Sequence, residues 1–413
     1  MKGSYFLKQL LVLTKNSFLV SFASYWLTIY LANHMQAGQF GLYSYILALG
    51  SMLGIFVNFA TDLRAPKLKA ENLSCHKIAS LTLSVRCLML VVVFFSIVFV
   101  SILFRKSFII PFGIVCLLLA SLNLSFLFEV KGQTIRYSYI YLAERAFYIV
   151  LILGVLQIFP VDLFLIFFVY FLTSMISIAV QGCSQWDELR SFSIPKFREL
   201  IGLLKNNVAL MLILASEFVY GGVSRLIFEY KFGINELAIF SLGMQIAAAI
   251  TLFQSQVEKV FRLKIITAIE SRNSQIFDIV FQYLMMTTLP ILIIASLLSY
   301  WSNEIVGFLF VKEYSSLANE FYLFTLFFII NNINSLVTMC WIAINKQKEL
   351  YLLTVTFAFI LFVLLMLLPV RVGMFGFIVT ILSIQALYFS YSAFRLFQHL
   401  SLYDLNVLSR TVD

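Results

Sequence analysis

The sequence predicts an all-α polytopic membrane protein: twelve transmembrane helices in two six-helix lobes related by a parallel pseudo-repeat, with both termini cytoplasmic. Three observations lead there. Of 413 residues, 62% are hydrophobic and 12% charged, against about 45–50% and about 25% in soluble domains. The apolar residues come in long runs without two-residue alternation, which favours helices over a membrane barrel. Lysine and arginine collect on one side of those runs. A water-soluble globule of this length has too little interior for so much apolar surface. Soluble enzyme, nucleic-acid binder and disordered scaffold are therefore excluded.

A crossing helix needs about 20 apolar residues. The runs place spans at roughly 10–33, 40–62, 79–103, 108–128, 138–159, 161–182, 206–229, 235–257, 279–301, 318–344, 350–369 and 373–396. Lys2 and Lys8 precede the first run as in a signal peptide. No small-residue cleavage site follows, so this stretch is expected to stay as the first span. Pro66, Pro111, Pro160 and Pro369 fall near span ends, and Pro290 alone lies well inside one.

With the N-terminus inside, 19 of the 29 basic residues face the cytoplasm and 5 the far side, the other 5 lying within spans. That asymmetry fixes the orientation and accounts for most of the net charge of +9 without an anionic ligand. The far-side loops are short. Five cysteines without CxxC spacing and three scattered histidines predict neither disulfides nor a metal site, and no cofactor is expected.

The halves repeat weakly. Leu13-Thr14-Lys15-Asn16 matches Leu204-Lys205-Asn206-Asn207, and Phe40-Gly41-Leu42-Tyr43-Ser44 matches Leu237-Ala238-Ile239-Phe240-Ser241. Six spans per half is an even number, so the repeats run parallel, one of the two plans of secondary transporters. The expected organisation is an N-terminal lobe at 1–182, a cytoplasmic linker at 183–204, a C-terminal lobe at 205–398 and a cytoplasmic tail at 399–413. No GxxxxGK[ST] motif occurs, so an ion gradient, the membrane potential or product removal must drive movement.

Ionisable residues at membrane depth are costly and mark function. Lys15, five residues into the first span, either lines a cavity or snorkels to the interface; its repeat partner Lys205 sits at that interface. Arg86 and the doublet Glu144–Arg145 lie in the third and fifth spans, and the structural reading pairs the doublet with Arg86. Glu217 sits about twelve residues into the seventh span, near the bilayer centre, as an ion-coupling group or a bundle salt bridge. Arg225 follows eight residues later, about 80° around the helix, and suits a phosphate, with Gly221 and Gly222 between. Asp62 and Arg64, with Glu258, Lys259 and Arg262 in the other half, form either the rim of an inward-open cleft or solvated loop starts. Asn58, Gln245, Asn331, Asn332 and Asn334 are amides that either glue helices together or touch sugar hydroxyls.

Three segments carry a resemblance. Gly38-Gln39-Phe40-Gly41-Leu42-Tyr43 runs on to Phe59-Ala60-Thr61-Asp62-Leu63-Arg64; Ser224-Arg225-Leu226-Ile227 leads to Phe240-Ser241; Ile305-Val306-Gly307-Phe308-Leu309-Phe310 precedes Tyr314 and Ala343-Ile344-Asn345-Lys346-Gln347-Lys348. Their order and spacing resemble the multidrug/oligosaccharidyl-lipid/polysaccharide (MOP) exporter superfamily, and within it the Wzx-type O-antigen flippases. Ser224 stands where that family often has aspartate, and Val311 where it usually has glycine. The resemblance implies a MATE-like V of two lobes and alternating access. It implies transport of undecaprenyl-diphosphate-linked repeat units across the bacterial inner membrane, coupled to H+ or Na+, beside a polysaccharide polymerase and a chain-length regulator. On that reading Lys15 and Arg225 contact the pyrophosphate, Asn16, Gln245, Asp62 and Arg64 complete the substrate site, and Glu217 couples the ion. A multidrug cation exporter of the same superfamily is the nearer alternative. A polysaccharide polymerase is disfavoured by the short far-side loops, and a peptidoglycan-precursor flippase by its two additional C-terminal helices.

Overall fold

The computed structural model describes residues 2–103, 107–249, 276–344 and 346–408, together with 254, 257, 261 and 265. Every regular element among them is helical. In chain order these are α1 (Lys2–His34), α2 (Ala37–Asn58), α3 (Thr61–Ala70), α4 (Cys75–Leu103), α5 (Ile109–Leu119), α6 (Ser125–Val130), α7 (Thr134–Ile158), α8 (Leu163–Ser184), α9 (Trp186–Leu189), α10 (Phe197–Phe218) and α11 (Ser224–Phe232). They continue as α12 (Ile234–Ala249), α13 (Ile276–Tyr300), α14 (Ser302–Leu309), α15 (Leu317–Ala343), α16 (Gln347–Leu367) and α17 (Gly373–Leu408).

Ten stretches among the described residues are long and apolar enough to cross a membrane. With α1 and the shorter apolar α12, they account for every predicted span. Three of the spans are broken. The second runs from Ala37 to Lys69 through α2 and α3, the fourth from Ile109 to Val130 through α5 and α6, and the seventh from Phe197 to Phe232 through α10 and α11. Helix also extends beyond the expected limits. α10 begins at Phe197, inside the stretch read as linker, where the Glu199 side chain accepts a bond from the Lys196 amide (3.3 Å) just after Pro195. α17 continues to Leu408, through much of the stretch read as a tail. Most of the remainder of the eighth span, and Glu258, Lys259 and Arg262 beyond it, lie outside the described residues.

Contacts divide the chain into two compact units, Met1–Ser241 and Leu242–Asp413. In the first, α10 and α11 pack on α2, and α1 packs along α7. In the second, α15 packs on α13 and α17, and α16 on α17. Lipid tails are as apolar as leucine, so close packing and polar contacts hold such helices together rather than escape from water. The first unit illustrates both. A Cβ on Gly41 of α2 would run into the main-chain carbonyl of Ile234, so only glycine allows that approach. Asn16 donates to Ser138 (3.0 Å) to join α1 to α7, and the Asn207 amide donates to the Phe59 carbonyl (3.1 Å) to join α10 to the break in the second span.

The second unit is built around Trp341, which is fully buried and donates its indole N–H to Ser392 Oγ (3.0 Å). Val257, Phe261 and Ile265 recur at four-residue spacing and are buried in the same cluster, one face of a helix. Thr288 donates to Asn332 (2.9 Å), and the hydroxyls of Ser299 and Thr325 meet at 3.0 Å, so two contacts tie α13 to α15. Outward-facing Phe95, Phe99, Ile158 and Leu367 are normal for a surface covered by lipid.

Candidate functional site

The second span breaks without proline or glycine at the break. Phe59 (φ 48°) and Ala60 (φ 55°) are both left-handed, a conformation costing roughly 1–2 kcal/mol per non-glycine residue. Arg86 on α4 makes it tolerable. Its Nε donates to Thr61 Oγ1 (2.9 Å), and Nη1 donates to the carbonyls of Ser121 (3.0 Å) and Asn123 (2.7 Å). Nη2 donates to Asn58 Oδ1 (3.1 Å) and to the Asp62 carboxylate. All five N–H groups of the guanidinium are thus used, and its flat face lies 4.9 Å from the centre of the Phe126 ring. Arg86 is fully buried, whereas Asp62 keeps one third of its side chain exposed. Thr61, Asn58 and Asp62 belong to the break in the second span; Ser121 and Asn123 belong to the break in the fourth. One side chain therefore closes both.

This overturns one expectation. Arg86 pairs with Asp62 rather than with the fifth-span doublet. Glu144 instead accepts from Ser177 Oγ (2.6 Å), Ser177 accepts from Gln181 Nε2 (3.0 Å), and Gln181 Oε1 accepts from the Leu124 amide (2.7 Å). Arg145 turns the other way, donating to the Tyr141 hydroxyl (3.2 Å) and lying over the rings of Tyr141 and Tyr170. Neighbours on a helix point apart, so the doublet splits. The signal missed in the sequence is a polar stripe on α8: Ser174, Ser177 and Gln181 recur at i, i+3 and i+7 and are all buried.

The residues expected to bind substrate fall into two groups. Asp62 and Arg64 are engaged within the protein in this conformation, Asp62 by Arg86 and Asn58 (2.5 Å), Arg64 by Glu71 (3.1 Å). Asn16 is buried against Ser138. Lys15, its neighbour, is exposed. Gln245, in the second unit, has a buried Nε2 with no hydrogen-bond partner among the described residues.

Arg225 is the second residue of α11, which follows directly on a π turn at Val219–Val223. Its Nε is shielded from solvent and finds no hydrogen-bond partner among the described residues. No described carboxylate pairs with it either; the phenol of Tyr25 on α1 is within electrostatic reach. Glu217, the penultimate residue of α10, is exposed. The π turn changes how these two relate. It accommodates one additional residue, which sets the following helix back by about 100°, so the 80° offset of a regular helix shrinks to about 20° in the other sense. Ser224 holds the turn open, donating from Oγ to the Val219 carbonyl (2.7 Å).

Depth follows from helix rise, about 1.5 Å per residue. Counted from the outer ends of α1 and α11, Arg225 lies about 10 Å in, Tyr25 about 13 Å, Glu217 about 22 Å and Lys15 about 28 Å. Lys15 and Arg225 thus stand at different distances from the ends of their helices, by about 18 Å.

Solved structures share this arrangement of helices. An inward-facing multidrug-resistance MATE transporter of the MOP superfamily superimposes with a TM-score of 0.64, covering 94% of both chains at 13% identity. An outward-facing MATE transporter gives 0.63, covering 94% of this chain and 95% of the other at 13% identity. A MOP-superfamily transporter from Pyrococcus furiosus, described as having a binding pocket of reverse polarity, gives 0.67 with the same coverage and identity. The fold is that of the MOP-superfamily transporters. No family model matches the sequence, and no curated protein matches it. At 13% identity the likeness is one of fold.

Proposed function

We propose that the protein is a flippase. It moves a lipid-linked oligosaccharide, joined through a diphosphate to a polyprenol such as undecaprenol, from the cytoplasmic to the outer leaflet of a bacterial inner membrane by alternating access. The observation that carries the reading is Arg225. A guanidinium in a membrane-spanning helix, with a shielded Nε and no acidic partner among the described residues, is a standing electrostatic demand for an anion. Opposite charges about 4 Å apart attract by about 4 kcal/mol at an effective dielectric of 20, against about 1 kcal/mol in water. The diphosphate is the part of such a substrate that cannot cross hydrocarbon unaided, while the lipid tail stays in the bilayer.

Lys15 meets the headgroup first, from the cytoplasmic half, and Arg225 receives it in the outer half. Glu217, exposed near the middle of the 36-residue seventh span, carries the coupling H+ or Na+. Asn16 faces the sugars once its contact with Ser138 rearranges, Gln245 has an amide N–H, unpartnered among the described residues, to offer them, and Asp62 and Arg64 become available to substrate only if the hub around Arg86 opens. A polysaccharide polymerase and a chain-length regulator act on the product.

The second reading is a cation exporter of the same fold, favoured by the carboxylates of Glu217 and Glu144 in the spans. One experiment separates the two. Proteoliposomes are loaded with a polyprenyl-diphosphate disaccharide, and its appearance on the opposite face is followed with a sugar-modifying enzyme. The flippase reading expects translocation that Arg225→Ala abolishes and Arg225→Lys partly restores. Absence of translocation, together with gradient-driven export of a lipophilic cation, would establish the exporter instead.

A further inference from the structure

The first unit carries an open groove of about 480 Å³, lined by Arg136, Ile176, Ala179, Val180, Cys183 and Ser184. It lies where α7 begins and α8 ends, the side that the basic asymmetry assigns to the cytoplasm. The groove is graded. Arg136, Cys183 and Ser184 sit at the level of the helix ends, and Ile176 lies eight residues, about 12 Å, deeper along α8. Ala179 leaves the floor low, while Ile176 and Val180, each about half exposed, form the deeper walls.

The frame around it is fixed. Gln185 donates to Gln133 (3.0 Å), and Lys131 pairs with Glu188 (3.2 Å), so the start of α7 is clamped to the chain leaving α8. That clamp neutralises Lys131. Arg136 is exposed and has no carboxylate within ion-pair distance among the described residues. It also stands in the first turn of α7, where the helix dipole adds positive potential.

We infer that this groove is a binding site for an anionic phospholipid of the cytoplasmic leaflet, with its phosphate on Arg136 and the start of one acyl chain along Ala179, Val180 and Ile176. The grading selects this occupant. A soluble anion would leave the apolar end unfilled, and a neutral or cationic amphiphile would leave Arg136 unanswered. The side chains named are not among those assigned to transport, so the site stands independently of the flippase reading.

The test uses the exposed thiol of Cys183 as a reporter inside the groove and the half-buried Cys75 as an internal reference. The full chain is placed in nanodiscs of phosphatidylcholine, with or without one third phosphatidylglycerol, and alkylation of each cysteine is timed by peptide mass spectrometry. Phosphatidylglycerol should slow Cys183 relative to Cys75 by about threefold or more, as occupancy of two sites in three requires by mass action. Arg136→Gln should lose that protection, and Ala179→Leu, which fills the floor, should lose it with Arg136 intact. Equal rates in both lipids, or protection surviving in both variants, would overturn the assignment. Protection seen in phosphatidylcholine alone and rising with protein concentration would give the face to a second copy of the chain, and would overturn it equally.

Discussion

The guanidinium of Arg86, on the third span, closes onto the carboxylate of Asp62, which stands one residue into the half-helix that continues the second span. The same guanidinium holds the break in the fourth span through the carbonyls of Ser121 and Asn123. Two interrupted helices therefore depend on one buried cation.

Removing that cation should be severe. Arg86→Leu leaves the Asp62 carboxylate, Thr61 and two carbonyls without their donor, and breaking a buried pair typically costs about 3–5 kcal/mol. Asp62→Asn keeps four of the five contacts and a neutral acceptor, so a loss of about 1–3 kcal/mol is expected. Arg64→Ala breaks a half-exposed pair with Glu71 and should cost less than about 1 kcal/mol. Thermal unfolding in detergent gives the order directly. Equal stability of the Arg86 and Arg64 variants would disprove the hub.

Glycine substitutions provide an independent check on packing. Gly41→Ala drives a methyl into the Ile234 carbonyl and should lower the melting temperature. Gly154→Ala, where nothing lies within 4 Å, should be neutral or stabilising by up to about 1 kcal/mol, the helix-propensity difference. The opposite order of melting temperatures would mean that α2 does not approach Ile234 this closely.

The proposed order of contacts, Lys15 first and Arg225 second, predicts different kinetic defects. Lys15→Ala should raise KM for a polyprenyl-diphosphate substrate with kcat nearly unchanged. Arg225→Ala should lower kcat by about 10²-fold or more, the loss expected when about 3 kcal/mol of stabilisation disappears from the rate-limiting step. The split would be read from initial rates in proteoliposomes. Identical defects would place both groups on one headgroup.

Glu217 tests coupling. Glu217→Gln should retain insertion and melting temperature, because the side chain is exposed, yet lose uptake driven by an imposed ion gradient. Gradient-driven uptake at the wild-type rate would end its role as carrier.

The fold was readable in the sequence because a bilayer imposes a length and a polarity on every crossing helix, and each predicted span falls on a helix wherever its residues are described. The interruptions were not. Phe59-Ala60 and Val219–Val223 are built largely from residues that helices accept; what stops the second span is a set of hydrogen bonds from Arg86, a residue 27 positions beyond Phe59. For the same reason the sequence offered Glu144 as a partner for Arg86. Both are intramembrane charges of opposite sign, and only the bend at Phe59-Ala60 brings Asp62 within reach instead. Glu217 and Arg225 broadly share a face on either count; that the offset is about 20° rather than about 80° was not readable, because a π turn leaves no mark in the composition. The splitting of Glu144 from Arg145 was readable, since adjacent residues on a helix must face apart.

The seventh span has a consequence of its own. Its 36 residues rise about 54 Å, whereas the hydrocarbon layer is about 30 Å thick. On the orientation that the basic residues predict, much of the excess projects on the cytoplasmic side as a rigid post, braced at its foot by Lys77 on Glu199 (3.2 Å). Trypsin added to inside-out vesicles should therefore spare Arg198 and Lys205, although both side chains are exposed, because a protease needs an extended peptide and this one is wound.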